Sequence, residues 1–350
     1  MTKAPHLGDM THHVSSEQRL DDALERIHLT SSTWRQDLAN HAPMAVDALV
    51  ELGRSEAIPS FLDAYGAHLE TEEPLPPGLL HWTTHLGQRT AARALSAHFE
   101  AWLAEAPMQA VLGEALPVLM KGVLGGSLHG LIRVGHAVSS IARRDTPIRR
   151  RELARALGYW ASEHHPLHGE VGSLPQRDPI VALSNLTPLS VRLRVDGVIT
   201  LRAAAAVRSP RFREEIATMD LRAPVEGTFD ALLTGAAVWL VEEPSSRFTY
   251  LHAITATSAL RQLLPSFPDE AGRREALHHH VHALAAIRCM SRVEPQSLDA
   301  PAAPIERLVE AAVASRDDHQ IKLAAAIRRE HVRHQDDRLL VAASAFILSC

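Results

Sequence analysis

Apolar residues recur at intervals of three and four along most of the chain, the spacing that gathers them on one face of an α-helix. Ser15-Ser16-Glu17 ahead of Leu20, Leu24 and Ile27 reads as a capped helix start followed by an apolar stripe. Asn40-His41-Ala42-Pro43 reads as another start, with Asn40 as the cap and Pro43 in the first turn. That helix carries Val46, Leu49 and Val50 and stops at Gly53. The same pattern predicts helices over Gly87–Glu105, Met108–Met120, Ser127–Ala142, Pro147–Glu163, Ala231–Val241 and Arg247–Leu264. Further helices are expected over Asp269–Met290, Pro304–Ala314, His319–His331 and Arg338–Leu348. Alanine, leucine and arginine dominate these stretches, as suits helix interiors.

One segment departs from the helical period. Val191–Arg202 alternates apolar and polar residues on both sides of Asp196-Gly197, which predicts a small β-hairpin near 190–202. Glu163–Pro188, interrupted by prolines, is expected to be a long connection, and no repeat of fixed period occurs. The expected architecture is all-α, one large multi-helix domain in two helical halves. Residues 1–39 would form an N-terminal segment with the first helix, and 40–350 the main helical domain.

Composition narrows the function classes. The 350 residues are 46% hydrophobic and 22% charged, enough to bury a large core and unlike a disordered chain. A net charge of −5 with scattered Lys and Arg gives no basic footprint, so neither nucleic acid nor an anionic membrane is an expected partner. Two cysteines are too few for a disulfide framework. Met1–Thr11 contains no apolar signal region and no stretch is long enough to span a bilayer, so the expected location is cytoplasmic. A homo-oligomer is left open.

Candidate chemistry begins with absences. No Gly-x-Gly-x-x-Gly follows a strand, and Walker, Cys-x-x-Cys, His-Glu-x-x-His and Gly-x-Ser-x-Gly motifs are all missing. The 22 histidines, however, outnumber the 7 Phe and 3 Tyr together, and imidazole is the commonest transition-metal ligand. His129 and His136 lie in a glycine-rich run, Lys121–His136, whose glycines permit close approach either of a neighbouring helix or of a flat ligand. Seven residues put these two histidines on one face but about 10.5 Å apart along the axis, too far to share one ion easily. His129 is the better candidate ligand, and His136 a supporting or substrate-facing residue. Arg133, one turn after His129, would stabilise developing enolate charge if it faced a cavity; its alternative is a surface or helix-capping cation.

Asp317-Asp318-His319 opens another helix, with Asp318 as the expected cap and His319 and Lys322 on a common face. Lys322 is either an exposed charge or, if buried, a neutral and reactive amine. His252 sits in an apolar helix with Thr255 one turn on, positioned to orient its ring or to face a substrate. His252 and His41 could equally be hydrogen-bonded core residues. His278 and His282 have i, i+4 spacing but lie among Arg273, Arg274 and Arg288, which favours a solvated helix face. His12-His13 and His164–His168 fall in expected loops, and His81 and His85 are minor candidates on an expected helix.

Taken in order, Asn40-His-Ala-Pro-Met44, Leu116-Pro117, Gly125-Gly-Ser-Leu-His129-Gly-Leu-Ile-Arg133, His252-Ala-Ile-Thr255 and Asp318-His-Gln-Ile-Lys-Leu323 resemble the questin oxidase-like family. The resemblance runs from about Asn40 to Ala343. It implies an α-helical oxidoreductase of secondary metabolism that oxygenates an aromatic or quinoid polyketide and opens a ring in Baeyer–Villiger or dioxygenase fashion. Its co-substrates would be O2 and NADPH, with no flavin. It also implies a non-haem Fe(II) site of histidines and a carboxylated lysine: His41, His129, His252 and His319, with Lys322 modified. Neutral imidazoles and an anionic oxygen suit that ion. Two rival readings are a metal-independent NADPH-dependent oxygenase and a non-catalytic helical protein that binds an aromatic ligand.

Overall fold

The apolar stripes form helices almost wherever their spacing predicts them. A computed structural model describes residues 14–34, 38–71, 76–77, 81–167, 178–190, 197–219, 224–291 and 301–349, and within these are sixteen α-helices and one two-stranded sheet. The first half contains α1 (Ser16–Ile27), α2 (Ala42–Glu51), α3 (Ile58–Tyr65), α4 (Ala92–Glu105), α5 (Met108–Met120), α6 (His129–Arg143) and α7 (Pro147–Ser162). Short helices follow at α8 (Pro179–Ser184), α9 (Ile199–Val207) and α10 (Pro210–Ala217). The last six are α11 (Val225–Glu242), α12 (Arg247–Leu263), α13 (Glu270–Ser291), α14 (Ile305–Ser315), α15 (Asp318–His334) and α16 (Asp337–Ile347).

Helix ends obey local chemistry, with two shifts of register. Ser15 caps α1 as expected, its Oγ accepting the Gln18 N–H at 3.1 Å. Gly53 ends α2 in the left-handed conformation (φ 71°), and the Arg54 N–H reaches back to the Leu49 carbonyl at 2.8 Å. At the start of α2, however, His41 occupies the N-cap, and Asn40 accepts the Ala42 N–H from one residue further back. At α15 the cap is Asp317, which accepts the His319 and Gln320 amides at 2.9 Å each. Asp318, expected as the cap, is the first helical residue, and its carboxylate is left for side-chain partners.

The hairpin expected near 190–202 is not where the sheet forms. Its second arm is the start of α9, and 191–196 lie outside the described residues. Ala203 to Ala206 extend the segment with the strongest helix former, which outweighs the short alternation before it. The sheet instead pairs β1 (Thr33–Trp34) antiparallel with β2 (Leu38–Ala39), Thr33 opposite Ala39 and Trp34 opposite Leu38.

Four helices close a ring: α2 packs on α6, α6 on α12, α12 on α15, and α15 on α2. Around it, α7 covers α6 and carries α4, α11 backs α12, and α14 and α16 back α15. Leu20, Leu24 and Ile27 of α1 belong to one continuous core with Ile347 of α16. The glycine-rich run serves this packing. A Cβ on Gly130 would meet Trp160 Cγ of α7 at 2.4 Å, and one on Gly135 would meet Ala259 Cβ of α12 at 2.8 Å.

The histidines of α13 also differ from expectation. His280 and His282 are buried, while His278 and His279 are half-buried. His280 Nε2 lies 2.8 Å from the Thr257 hydroxyl and His282 stacks on Phe212, so the face read as solvated packs into the core. No helix among the described residues is long and apolar enough to cross a membrane.

Candidate metal centre and its cavity

Each helix of the central ring delivers one histidine near its N-terminal end. His41 is the N-cap of α2, His129 the first residue of α6, His252 lies in the second turn of α12, and His319 is the second residue of α15. The start of α6 is set by three successive left-handed residues, Gly126, Ser127 and Leu128 (φ 56°, 59° and 70°). For Ser127 and Leu128 this costs on the order of 1–2 kcal/mol each. Their conformation moves the helix start from Ser127, where the sequence placed it, to His129. The Thr200 hydroxyl fixes the turn, accepting the Ser127 N–H at 2.8 Å and donating to the Leu124 carbonyl at 2.9 Å.

The rings converge. A nitrogen of each of His41, His129 and His319 lies within 4.8 Å of the other two, a spacing that two metal–nitrogen bonds of about 2.1 Å nearly span. His252 joins them through His129, Nε2 to Nε2 at 3.2 Å. All four rings are anchored through Nδ1: His129 to the Gly126 carbonyl at 2.6 Å, His252 to the Phe248 carbonyl at 2.7 Å, and His41 and His319 to Asp318 Oδ1 at 2.8 and 2.7 Å.

Those anchors determine the proton positions. A carbonyl or carboxylate oxygen can only accept, so each Nδ1 carries the hydrogen and, in a neutral ring, Nε2 keeps its lone pair. The rings are neutral because burial, and after it the neighbouring cations, disfavour imidazolium. His41 is pushed down to about 3 by burial and then by Lys322. His129 and His252 are held well below the ordinary imidazole value, chiefly by burial and then by neighbouring histidines. His319 is lowered by burial and then by Lys322. His129 and His252 therefore point lone pairs at each other, and the buried Nε2 of His319 has no hydrogen-bond partner.

Asp318 is the group that the sequence reading missed. Its Oδ1 also lies 3.3 Å from Lys322 Nζ, so one carboxylate oxygen gathers His41, His319 and Lys322. Burial works against its charge, but Lys322, His41 and His319 together keep it ionised well below the usual carboxylate range. The buried Lys322 is lowered by desolvation, with Asp318 opposing. Carboxylate behind histidine is the usual support of a metal-binding imidazole. The i, i+4 spacing of Asp318 and Lys322 was the available signal.

A cavity of about 350 Å³ opens onto this cluster. His41, His129, His252, Asp318 and His319 form one wall, and Trp34, Leu38, Tyr65, Tyr159 and Phe248 supply much of the rest. The Tyr65 hydroxyl accepts the His41 N–H at 2.9 Å. Its pKa is raised by burial and by Asp318, and that of Tyr159 by burial and by Glu163, so both phenols keep their protons. Neither tyrosine stands in a motif, and only the fold brings them here. Larger clefts lie beside Arg261 (640 Å³) and Asp336 (710 Å³), but among the described residues neither brings three histidine or carboxylate ligand atoms within 4.8 Å of one another.

The remaining candidates lie elsewhere. His136 Nδ1 bonds Asp47 at 2.8 Å, away from the cavity. With Glu51 these two residues form a second acidic–histidine group, already balanced by Arg143 on Asp47 and Arg329 on Glu51. Arg133 makes a buried bidentate pair with Glu152, Nε at 2.6 Å and a terminal nitrogen at 3.0 Å, and does not line the cavity. Thr255 donates back to the Leu251 carbonyl at 3.0 Å and is likewise absent from the cavity wall. His81 precedes and His85 ends a single 3-10 turn, Trp82–His85, instead of lying on an α-helix; His12, His13 and His168 lie outside the described residues. No known family model and no curated protein matches the chain.

Proposed function

We propose that the cavity is the active site of a metal-dependent oxygenase for an aromatic or quinoid substrate. The observation that carries this reading is the 3.2 Å approach of two unprotonated ring nitrogens, His129 Nε2 and His252 Nε2, beside the unpartnered His319 Nε2. Facing lone pairs repel in a buried site unless a cation lies between them, and Nδ1-anchored neutral imidazoles suit a divalent transition metal. His41, His129, His252 and His319 would hold it. Lys322 in carboxylated form would contribute the anionic oxygen, with Asp318 behind His41 and His319. Fe(II) is the ion that the resemblance to questin oxidase-like proteins favours, and it would supply the redox chemistry needed to activate O2.

The chain's own groups do the rest. Asp318 fixes the ring planes of His41 and His319. Tyr65, with a lone pair committed to the His41 N–H, has its O–H available to a substrate carbonyl, and Tyr159 keeps a second phenol proton in the same cavity. Trp34 and Phe248 offer aromatic rings against which a flat substrate can pack. In a Baeyer–Villiger outcome one oxygen atom enters the carbon–carbon bond and the other leaves as water, the two extra electrons coming from NADPH.

The experiment is O2 uptake with NADPH and a panel of hydroxyanthraquinones, comparing wild type with His252→Ala. Substrate-dependent uptake in the wild type and its loss in the variant support the reading. Equal uptake by both, or none with any quinone, counts against it.

A further inference from the structure

The charged groups of the cavity are unevenly paired. Arg89, Glu163, Arg202 and Asp318 all line it. Arg89 pairs with Glu163 at 2.8 Å, and Asp318 spends its charge on His41, His319 and Lys322. Arg202 of α9 is different: among the described residues its guanidinium has no hydrogen bond, ion pair or ring partner, although it borders the same space. Gly197, Val198, Ile199 and Thr200, which lead into it, also line the cavity, and no side chain caps the first amides of α9. The positive end of that helix therefore adds to the Arg202 charge.

We infer that the cavity selects an anionic aromatic ligand, its carboxylate or phenolate held by Arg202 while its rings lie against Trp34 and Phe248. A guanidinium that has no partner among the described residues and borders a partly enclosed cavity favours an anion, and its planar fork matches a carboxylate in particular. This inference rests on reading the cavity as a substrate site and deepens it by naming the substrate's charge; it does not depend on the metal.

The test uses 2-naphthoate and its neutral isostere 2-naphthamide as probes, with affinities measured by calorimetry. The protein is taken as purified and again after chelation, and metal content is determined on each sample. A preference for naphthoate of about tenfold or more is expected in both samples, the order of one charge-assisted hydrogen bond. Arg202→Gln should bring the ratio close to one, while Arg202→Lys keeps part of it, with the melting temperature of each variant checked against wild type. The inference is overturned if Arg202→Gln leaves the ratio unchanged, if neither probe binds, or if chelation of the wild type alone abolishes the preference, which would place the anion on the metal. A purified protein without metal that still prefers naphthoate through Arg202 would sink the metal centre and leave this inference standing.

Discussion

His129 and His252 meet through their Nε2 atoms at 3.2 Å while the other nitrogen of each ring is tied to a main-chain carbonyl. The two contacts fix each other's meaning. Were either ring turned over, one nitrogen would donate to the other and the pair would be an ordinary core hydrogen bond. The carbonyls of Gly126 and Phe248 prevent this, and the left-handed turn over Gly126, Ser127 and Leu128 puts the first of them in place.

Asp318 makes the first prediction. Because it orients both His41 and His319, Asp318→Asn should weaken metal binding about 10- to 100-fold. Competition against a chelator of known affinity measures the effect, and an unchanged affinity would mean that the carboxylate has no supporting role.

The second concerns the seam between α6 and α7. The Cβ of Gly130→Ala would fall 2.4 Å from Trp160 Cγ, and Trp160 is completely buried. Overpacking of this kind costs about 1–3 kcal/mol. Urea denaturation of the variant should show that loss; wild-type stability would mean that the helices are free to separate.

Arg133 and Glu152 give a third. Glu152 is held down to about 2: burial opposes its charge, but Arg133 and His28 outweigh it. Removing one partner from a buried ion pair costs about 3–5 kcal/mol, so Glu152→Ala should be severely destabilised. Replacing both Arg133 and Glu152 by Met should recover much of the loss, because neither charge is then stranded. If the double variant is as unstable as the single one, the pair is not the unit that matters.

A fourth follows from His280, which burial alone lowers to about 3 from an ordinary 6.5. The unfolded chain takes up this proton first as pH falls, so the folded state's advantage is complete above about 6.5 and shrinks between 6.5 and 3. The slope is about 1.4 kcal/mol per pH unit for this residue. His280→Gln should flatten the acid limb of stability against pH by about that amount, measured by urea melts between about pH 6 and 5. An unaltered limb would show that His280 takes up its proton in the folded state as readily as in the unfolded chain.

Much of this molecule was legible in its sequence because helices advertise themselves by spacing. The helical spacing across Arg247–Leu264 predicts α12, and the motif positions name His41, His129, His252 and His319 ahead of the fold. What failed was register and distant assembly. Asp317 and Asp318 are chemically identical candidates for one cap, and only the turn geometry decides which is spent on the backbone and which is left for the imidazoles. Ile199–Val207 resembles a strand at its start and a helix at its end, and the alanines decide it. Tyr65, Tyr159 and Arg202 stand in no motif, since what gives them a role is a cavity formed by segments far apart in the chain. Seven-residue spacing did separate His129 from His136, but not for axial distance alone: Asp47 draws His136 into a different network.

The measurement that bears most directly on the central claim is metal content by inductively coupled plasma mass spectrometry, on untagged protein purified without chelator and again after anaerobic reconstitution with iron(II). The account predicts close to one transition-metal ion per chain, falling sharply in His129→Ala and His252→Ala variants that remain folded. A protein that stays metal-free through reconstitution, or one whose metal survives both substitutions, would contradict it.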